Sequence, residues 1–280
     1  MARPPYVHRW TTLIVCAYVV VVLTATGLSH VPTRVAVAQT VPPAGPAPAA
    51  PGLAAPRAVP SSVLTGTAGQ GRTVTLTFDD GPNPRYTPRV LDVLGAHRVP
   101  AVFCMVTRVA REHRDIARDV LARGHAVCDH TSDHDPGLAA RSDRAIAEAM
   151  RASSAELVDA AGDPALQVRF FRAPEGRWSP GLARGAATLG MRPLGWSVDS
   201  RDWTGASKDA VLHTVRSQLG NGSVILLHDG GGDRATTVAV LEELIPWLRD
   251  QGYRFVLPDE TADPPRPTPN AGIADAATGR

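Results

Sequence analysis

The chain has 280 residues, of which 44% are hydrophobic and 20% charged, a balance that excludes a wholly disordered polymer. Its formal net charge of +2 arises from 29 basic and 27 acidic residues that are scattered, which excludes the concentrated basic face of a nucleic-acid binder. Of its 25 prolines, ten lie between Gly71 and Leu257 and fifteen crowd into the flanking segments, leaving 187 central residues for one domain with a sizeable core.

Residues 1–38 read as an export segment. Arg3 and Arg9 precede an uncharged stretch from Trp10 to Thr33, with its apolar centre at Leu13 to Leu28 and the small-residue triplet Ala36-Val37-Ala38 following. The run approaches the length that crosses a bilayer, so cleavage after Ala38 and retention as an N-terminal membrane anchor are both open. Either route puts the domain on the extracytoplasmic side, since the positive end stays inside. Residues 39–70 form a Pro/Ala-rich linker, extended and semi-rigid. The domain is expected over 71–258, and 259–280 as a disordered Pro-rich tail.

Within the domain, short apolar runs alternate with longer amphipathic ones. Strands are expected at Val74–Phe78, Ala101–Val106, Ala126–Cys128, Val168–Phe171, Arg192–Ser197, Ser223–Leu227 and Tyr253–Leu257. Helices are expected near Pro88–Ala96, Arg111–Arg123, Ser142–Ala160, Pro180–Leu189, Ser207–Leu219 and Thr237–Asp250, the last kinked by Pro246. This alternation predicts a parallel sheet, open or closed. Cys104 and Cys128 fall on consecutive strands, where a disulfide and two buried free thiols are both open.

The polar clusters fall at or just after strand ends: Asp79 and Asp80, His130, Arg172, Asp199, and His228. In a parallel barrel those ends share one face, where active sites are built. His130 and His134, four residues apart, can place two imidazoles on one side of a helical turn, a spacing compatible with a metal such as zinc. A third ligand from another strand end is then required, and Asp79-Asp80-Gly81-Pro82 is the best source. One carboxylate would bind metal and the other act as a base, if the Gly-Pro turn aims both at the mouth. A plain turn is the alternative. A glycosidase pair is disfavoured, because its two carboxylates must flank the sugar bond roughly 5 Å or more apart. His228-Asp229, between a buried run and Gly230-Gly231-Gly232, offers a general acid.

Five segments in order carry a resemblance. They are Thr77-Phe78-Asp79-Asp80-Gly81, His130-Thr131-Ser132-Asp133-His134, Arg172-Ala173-Pro174-Glu175-Gly176, Asp199-Ser200-Arg201-Asp202-Trp203 and Leu226-Leu227-His228-Asp229. Together they resemble the polysaccharide deacetylases of the NodB-homology type, carbohydrate esterase family four. The resemblance spans roughly Gly71 to Leu257 and implies a single-domain α/β fold, a distorted (β/α)7 parallel barrel. It implies one divalent metal ion, usually zinc with cobalt, nickel or manganese as substitutes, held by Asp80, His130 and His134. It further implies Asp79 as general base, Arg172 holding Asp79 ionised, His228 as general acid and Asp202 orienting His228 and raising its pKa. The backbone N–H of Glu175 would stabilise the oxyanion, and Trp203 and Leu226 would wall the acetyl pocket; both also suit a plain core role, and Asp199 a plain loop role.

Two positions depart from that pattern. Glu175 stands where an aromatic residue or glycine is usual, which leaves the N–H but changes the charge of the groove floor. Asp129 stands where asparagine is common, either as an acceptor supporting the adjacent ligand histidine or pointing away. The resemblance implies a hydrolase removing acetyl groups from an N-acetylated polysaccharide; with the export segment and linker, the protein is expected to be an exported monomer acting on peptidoglycan first and chitin-type oligomers second. An O-acetyl esterase of the acetylxylan type shares the mechanism, and a catalytically weak cell-wall-binding scaffold is the rival of another class.

Overall fold

The computed structural model describes residues 59–69 and 71–260, so the leader, most of the linker and the tail beyond Glu260 lie outside the described residues. The strands are β1 (Thr73–Asp79), β2 (Ala101–Met105), β3 (Ala126–Asp129), β4 (Phe170–Phe171), β5 (Arg192–Pro193), β6 (Val198–Asp199), β7 (Ser223–His228) and β8 (Arg254–Phe255). The α-helices are α1 (Thr87–His97), α2 (Thr107–Glu112), α3 (Arg114–Ala122), α4 (Asp143–Ala161), α5 (Pro180–Thr188), α6 (Lys208–Gln218) and α7 (Ala235–Asp250). Every strand pairing is parallel, in the order β5-β4-β3-β2-β1-β7-β6, with β8 beside the first half of β1. Strand–helix–strand crossovers between parallel strands put the helices outside a curled sheet.

Strand periodicity decides what faces the barrel interior. On β1, Val74, Leu76 and Phe78 join the large core beneath the helices. The alternate residues Thr73, Thr75, Thr77 and Asp79 point the other way, all buried. The interior holds a smaller core of Val102, Cys104, Cys128, Phe170, Leu194 and Val224. Cys104 and Cys128 are register partners on β2 and β3 and are joined in a disulfide, which resolves that pair as a bridge.

Three expectations need correction. The run Arg192–Ser197 is not one strand: β5 ends at Pro193 and β6 starts at Val198 on the opposite edge of the sheet. Gly195 lies between them, where a side chain would meet Val63 and Thr65. The folded region also begins ahead of Gly71. Leu64 donates its N–H to Pro193 O at 2.8 Å and accepts from Gly195 N at 2.8 Å, while Thr67 N donates to Gly222 O at 2.8 Å. Residues 64–67 thus lie across the gap that the sheet leaves open. Finally, the segment Arg111–Arg123 divides into α2 and α3 at His113, whose backbone is non-helical, whereas α7 runs on through Pro246.

Candidate active site

The alternation that fills the barrel also builds the site. Thr77, Cys128, Phe170 and Leu226 are buried on strands β1, β3, β4 and β7. Two residues further along each chain stand Asp79, His130, Arg172 and His228, which therefore form the next layer at the C-terminal mouth. Asp79 and His228 are direct register partners.

Asp80 has the wrong parity and reaches the mouth by another route. Its backbone is left-handed at φ 70°, so the chain turns there instead of continuing the pleat. The histidine pair is also not helical. Thr131 (φ 67°) and His134 (φ 57°) are left-handed in an irregular loop, and His134 N–H donates to Thr131 Oγ1 at 3.0 Å. Four apart therefore means a tight loop here, which brings the two rings to 4.9 Å between centroids. Among the described residues, five of the six non-glycine positions with positive φ, Asp80, Thr131, His134, Glu175 and Arg201, sit in these strand-end loops. A β-branched residue held there is costly, of order 1–3 kcal/mol, and backbone strain of this kind concentrates at functional sites.

Asp80, His130 and His134 each offer a ligand atom, and these atoms lie within 4.8 Å of one another. His134 Nε2 is 3.4 Å and His130 Nε2 3.6 Å from Asp80 Oδ1. His130 Nδ1 lies 2.9 Å from the carbonyl of Arg172, which can only accept, so Nδ1 carries the proton and Nε2 presents its lone pair. Burial pushes the His130 imidazole below its ordinary pKa despite Asp79 and Asp80 nearby, which favours the neutral, ligating form. Asp80 Oδ1 is buried with no hydrogen-bond partner of its own. An orphaned carboxylate oxygen beside two imidazole nitrogens is a donor set that fits a divalent cation.

Asp79 is held from behind. Arg172, fully buried, gives Nη1 to Asp79 Oδ1 at 2.6 Å and to Thr77 Oγ1 at 2.9 Å. Its Nε and Nη2 reach the carbonyls of Leu194 (3.1 Å) and Gly195 (2.9 Å). The guanidinium is thus fixed by four bonds. Asp79 Oδ2 faces the site, 3.6 Å from His130 Nε2.

On the other side, His228 Nδ1 donates to Asp202 Oδ1 at 2.7 Å. Asp202 Oδ2 accepts from His228 N (2.9 Å) and Thr237 Oγ1 (2.7 Å). Burial of the ring opposes its charge, but the Asp202 bond outweighs it and holds the His228 pKa above that of an ordinary imidazole. Burial of Asp202 likewise opposes charge, and the bonds from His228 and Thr237 outweigh it, keeping the carboxyl below its usual range.

These groups line a pocket of about 540 Å³, within the size range of small-molecule sites. Glu175, Trp203 and Leu226 line it too, so all ten residues expected at the site surround it or, for Arg172 and Asp202, back it directly. Trp203 is not core: it is 52% exposed at the rim, whereas Leu226 is buried. The side chain of Glu175 turns to Arg177 at 2.8 Å, and the adjacent turn uses the N–H groups of Gly176 and Arg177 but not that of Glu175. Asp129 does not support His130; its oxygens accept from Thr131 N (2.8 Å) and Ser153 Oγ (2.6 Å), and burial pushes its pKa up to about 7. The support for His130 is the Arg172 carbonyl instead.

The pocket also contains Trp196, Asp199, Gly231 and Arg234. Trp196 lies in the irregular segment between β5 and β6, packs against the interior core and stands with its ring centroid 5.6 Å from the Arg172 guanidinium carbon. Arg234 lies on the loop after β7 and carried no periodic signal.

A family model described as polysaccharide deacetylase matches residues 66–194. A chitooligosaccharide deacetylase of Sinorhizobium fredii is 42% identical over 194 residues, covering 64% of this chain and 87% of the relative. Among solved structures, a peptidoglycan N-acetylglucosamine deacetylase superposes with a TM-score of 0.64 at 31% identity, over 70% of this chain and 90% of that one. A pseudoenzyme of carbohydrate esterase family four from Bacillus anthracis superposes with a TM-score of 0.61 at 25% identity, over 66% of this chain and 63% of that one. The strand-end layer and the sequence relationship agree: this chain belongs to the polysaccharide deacetylase family.

Proposed function

We propose that the protein is an exported, metal-dependent hydrolase that removes acetyl groups from an N-acetylated glycan, peptidoglycan or a chitin-type N-acetylglucosamine polymer. The observation that carries this reading is the convergence of three ligand atoms within 4.8 Å, beside a carboxylate fixed by a buried arginine and opposite a histidine fixed by a buried aspartate. Deacetylation needs a base on one side of the scissile amide and an acid on the other, and this pocket supplies both.

Asp80, His130 and His134 would hold one divalent ion, zinc by the borderline character of a His₂Asp set, with cobalt, nickel or manganese as substitutes. When bound, the ion supplies Lewis-acid chemistry, polarising the acetyl carbonyl and making water acidic enough to attack near neutral pH. Asp79 takes the proton of the attacking water at Oδ2, because Oδ1 is occupied by Arg172. The N–H of Glu175 stabilises the negative charge that develops on the acetyl oxygen. His228 then gives its Nε2 proton to the leaving nitrogen as the C–N bond breaks, yielding acetate and a free amine. Asp202 fixes the tautomer and keeps the ring charged until that moment. Leu226 and Trp203 enclose the methyl group, with Trp203 at the rim.

The basic flank, apolar run and Pro/Ala-rich linker support delivery of a monomeric domain across the membrane, secreted or anchored near the wall polymer. The test is acetate release from N-acetylglucosamine oligomers, peptidoglycan and acetylated xylan, each with chelator and after metal restoration. Chelator-sensitive release from the N-acetylated substrates is expected. Binding without turnover under any metal would instead favour a scaffold, a state that the similarity to a pseudoenzyme makes worth testing, and preference for xylan would favour the O-acetyl esterase.

A further inference from the structure

The loop after β7 packs on the back of Asp80, and its composition leaves no room for side chains. A methyl group at Gly230 would overlap the carbonyl carbon and oxygen of Asp80 and lie 2.5 Å from Gly81 N, distances that real side chains essentially never show. At Gly231, itself left-handed at φ 68°, it would lie 2.6 Å from Asp80 Oδ2. The same fit operates in reverse at Gly81, where a side chain would overlap the carboxylate of Asp229.

This loop is fastened on both flanks. Arg234, buried, gives Nε to Gly230 O at 2.6 Å and Nη2 to Gly231 O at 3.2 Å, pinning both peptides. Asp229 Oδ2 accepts from Thr87 Oγ1 at 2.5 Å, and Thr87 Oγ1 accepts from Asn83 N at 2.7 Å, closing the turn that follows Asp80. Tyr86 OH donates to Asp233 Oδ1 at 2.8 Å. The N–H groups of Asp229 and Gly230 both donate to Asp79 O at 3.2 Å. Asp80 is therefore gripped from the peptide before it to the turn after it.

We propose that Gly230, Gly231 and Arg234 are positioning residues: the 229–234 loop is a brace that keeps Asp80 in its left-handed conformation with its carboxylate turned toward His130 and His134. The physical reason is that φ 70° lies in a minor region for any residue with a side chain, even for aspartate, which tolerates it better than most, so an unbraced backbone can return to the extended region and carry the carboxylate away along the pleat. Only glycine lets one backbone approach another closely enough to oppose that relaxation. The brace leaves the chemistry of His228 untouched, since that ring is set by Asp202.

The proposal rests on Asp80, His130 and His134 as the metal ligands, and the experiment separates the two. Cobalt(II) is titrated into the chelated, otherwise intact protein, following the visible ligand-field band and the dissociation constant, with thermal unfolding of the metal-free form alongside. Absence of a cobalt band in the wild type, or its persistence in D80A, would overturn the ligand assignment itself. With the band present and D80A lacking it, G230A and R234M are expected to weaken binding at least ten-fold and to alter the band. G95A, where nothing lies within 4 Å, should bind as the wild type does. R234M adds no bulk, so it decides the matter if G230A loses its cooperative transition. Wild-type affinity and spectrum in R234M, with G230A either the same or unfolded, would overturn the brace.

Discussion

The buried pair of Asp79 and Arg172 gives the most quantitative handle on this site. Arg172 is fully buried and the Asp79 side chain only 5% exposed, with Nη1 and Oδ1 2.6 Å apart. Unit charges about 4 Å apart, in a medium of effective dielectric about 20, attract by about 4 kcal/mol. Removing one partner strands the other without water, at a cost of about 3–5 kcal/mol. R172M should fall in that range, because it also orphans the carbonyls of Leu194 and Gly195. D79N keeps an acceptor for Nη1 and should cost less, about 1–3 kcal/mol. The double variant has no stranded charge, while the orphaned carbonyls are common to R172M and cancel from the cycle. Its loss should therefore fall short of the summed single losses by about 2 kcal/mol or more. R172K should not rescue, since an ammonium has three donors for four bonds set in a planar fork. The assay is urea unfolding of the chelated proteins at pH 7, with acetate release in parallel. Additivity within about 0.5 kcal/mol would refute the coupling, and full deacetylase activity in D79N would refute Asp79 as the base.

Three further outcomes follow, two from the His228–Asp202 pair and one from the disulfide. A His228 acid must be protonated to act, so activity is lost as pH rises through its raised pKa; D202N removes the charge that raises it, and the alkaline limb of kcat/KM should move to lower pH, whereas an unmoved limb would show that His228 is not the acid. The stability that this raised pKa contributes is full below the ordinary imidazole value and lost as pH climbs through the folded one, so the denaturation midpoint of D202N should fall least at high pH. The Cys104–Cys128 bridge closes a loop of 24 residues, so C104A/C128A should lose roughly 3 kcal/mol in denaturant unfolding while retaining metal-dependent turnover. Loss of turnover with the fold intact would mean that the bridge supports the site directly.

Much of this was legible from residue order. Strand–helix alternation predicted a parallel sheet, open or closed, the resemblance implied that it closes into a barrel, and period two along β1, β3, β4 and β7 gives Asp79, His130, Arg172 and His228 one facing once those strands are paired. That legibility has a physical source: a strand's side-chain direction is set by local backbone geometry alone. The Arg192–Ser197 run misled, because the buried residues that follow β5 are not strand: they carry the chain to β6 on the opposite edge of the sheet. The histidine spacing misled in its detail, because four residues can be spanned by a helical turn or by a loop with two left-handed positions.

Length and proline distribution pointed to a single central domain, and the order of five short segments pointed to its family; the sequence needed no tertiary information for either. What only the tertiary structure decided was aim. Asp80 reaches the ligand set through a left-handed turn that breaks the pleat, Asp129 turns to Ser153 instead of to His130, and residues 64–67 pair with the barrel strands. In each case the outcome depends on partners distant in sequence, Gly230 and Arg234, Ser153, Pro193 and Gly222, whose proximity exists only once the sheet has curled.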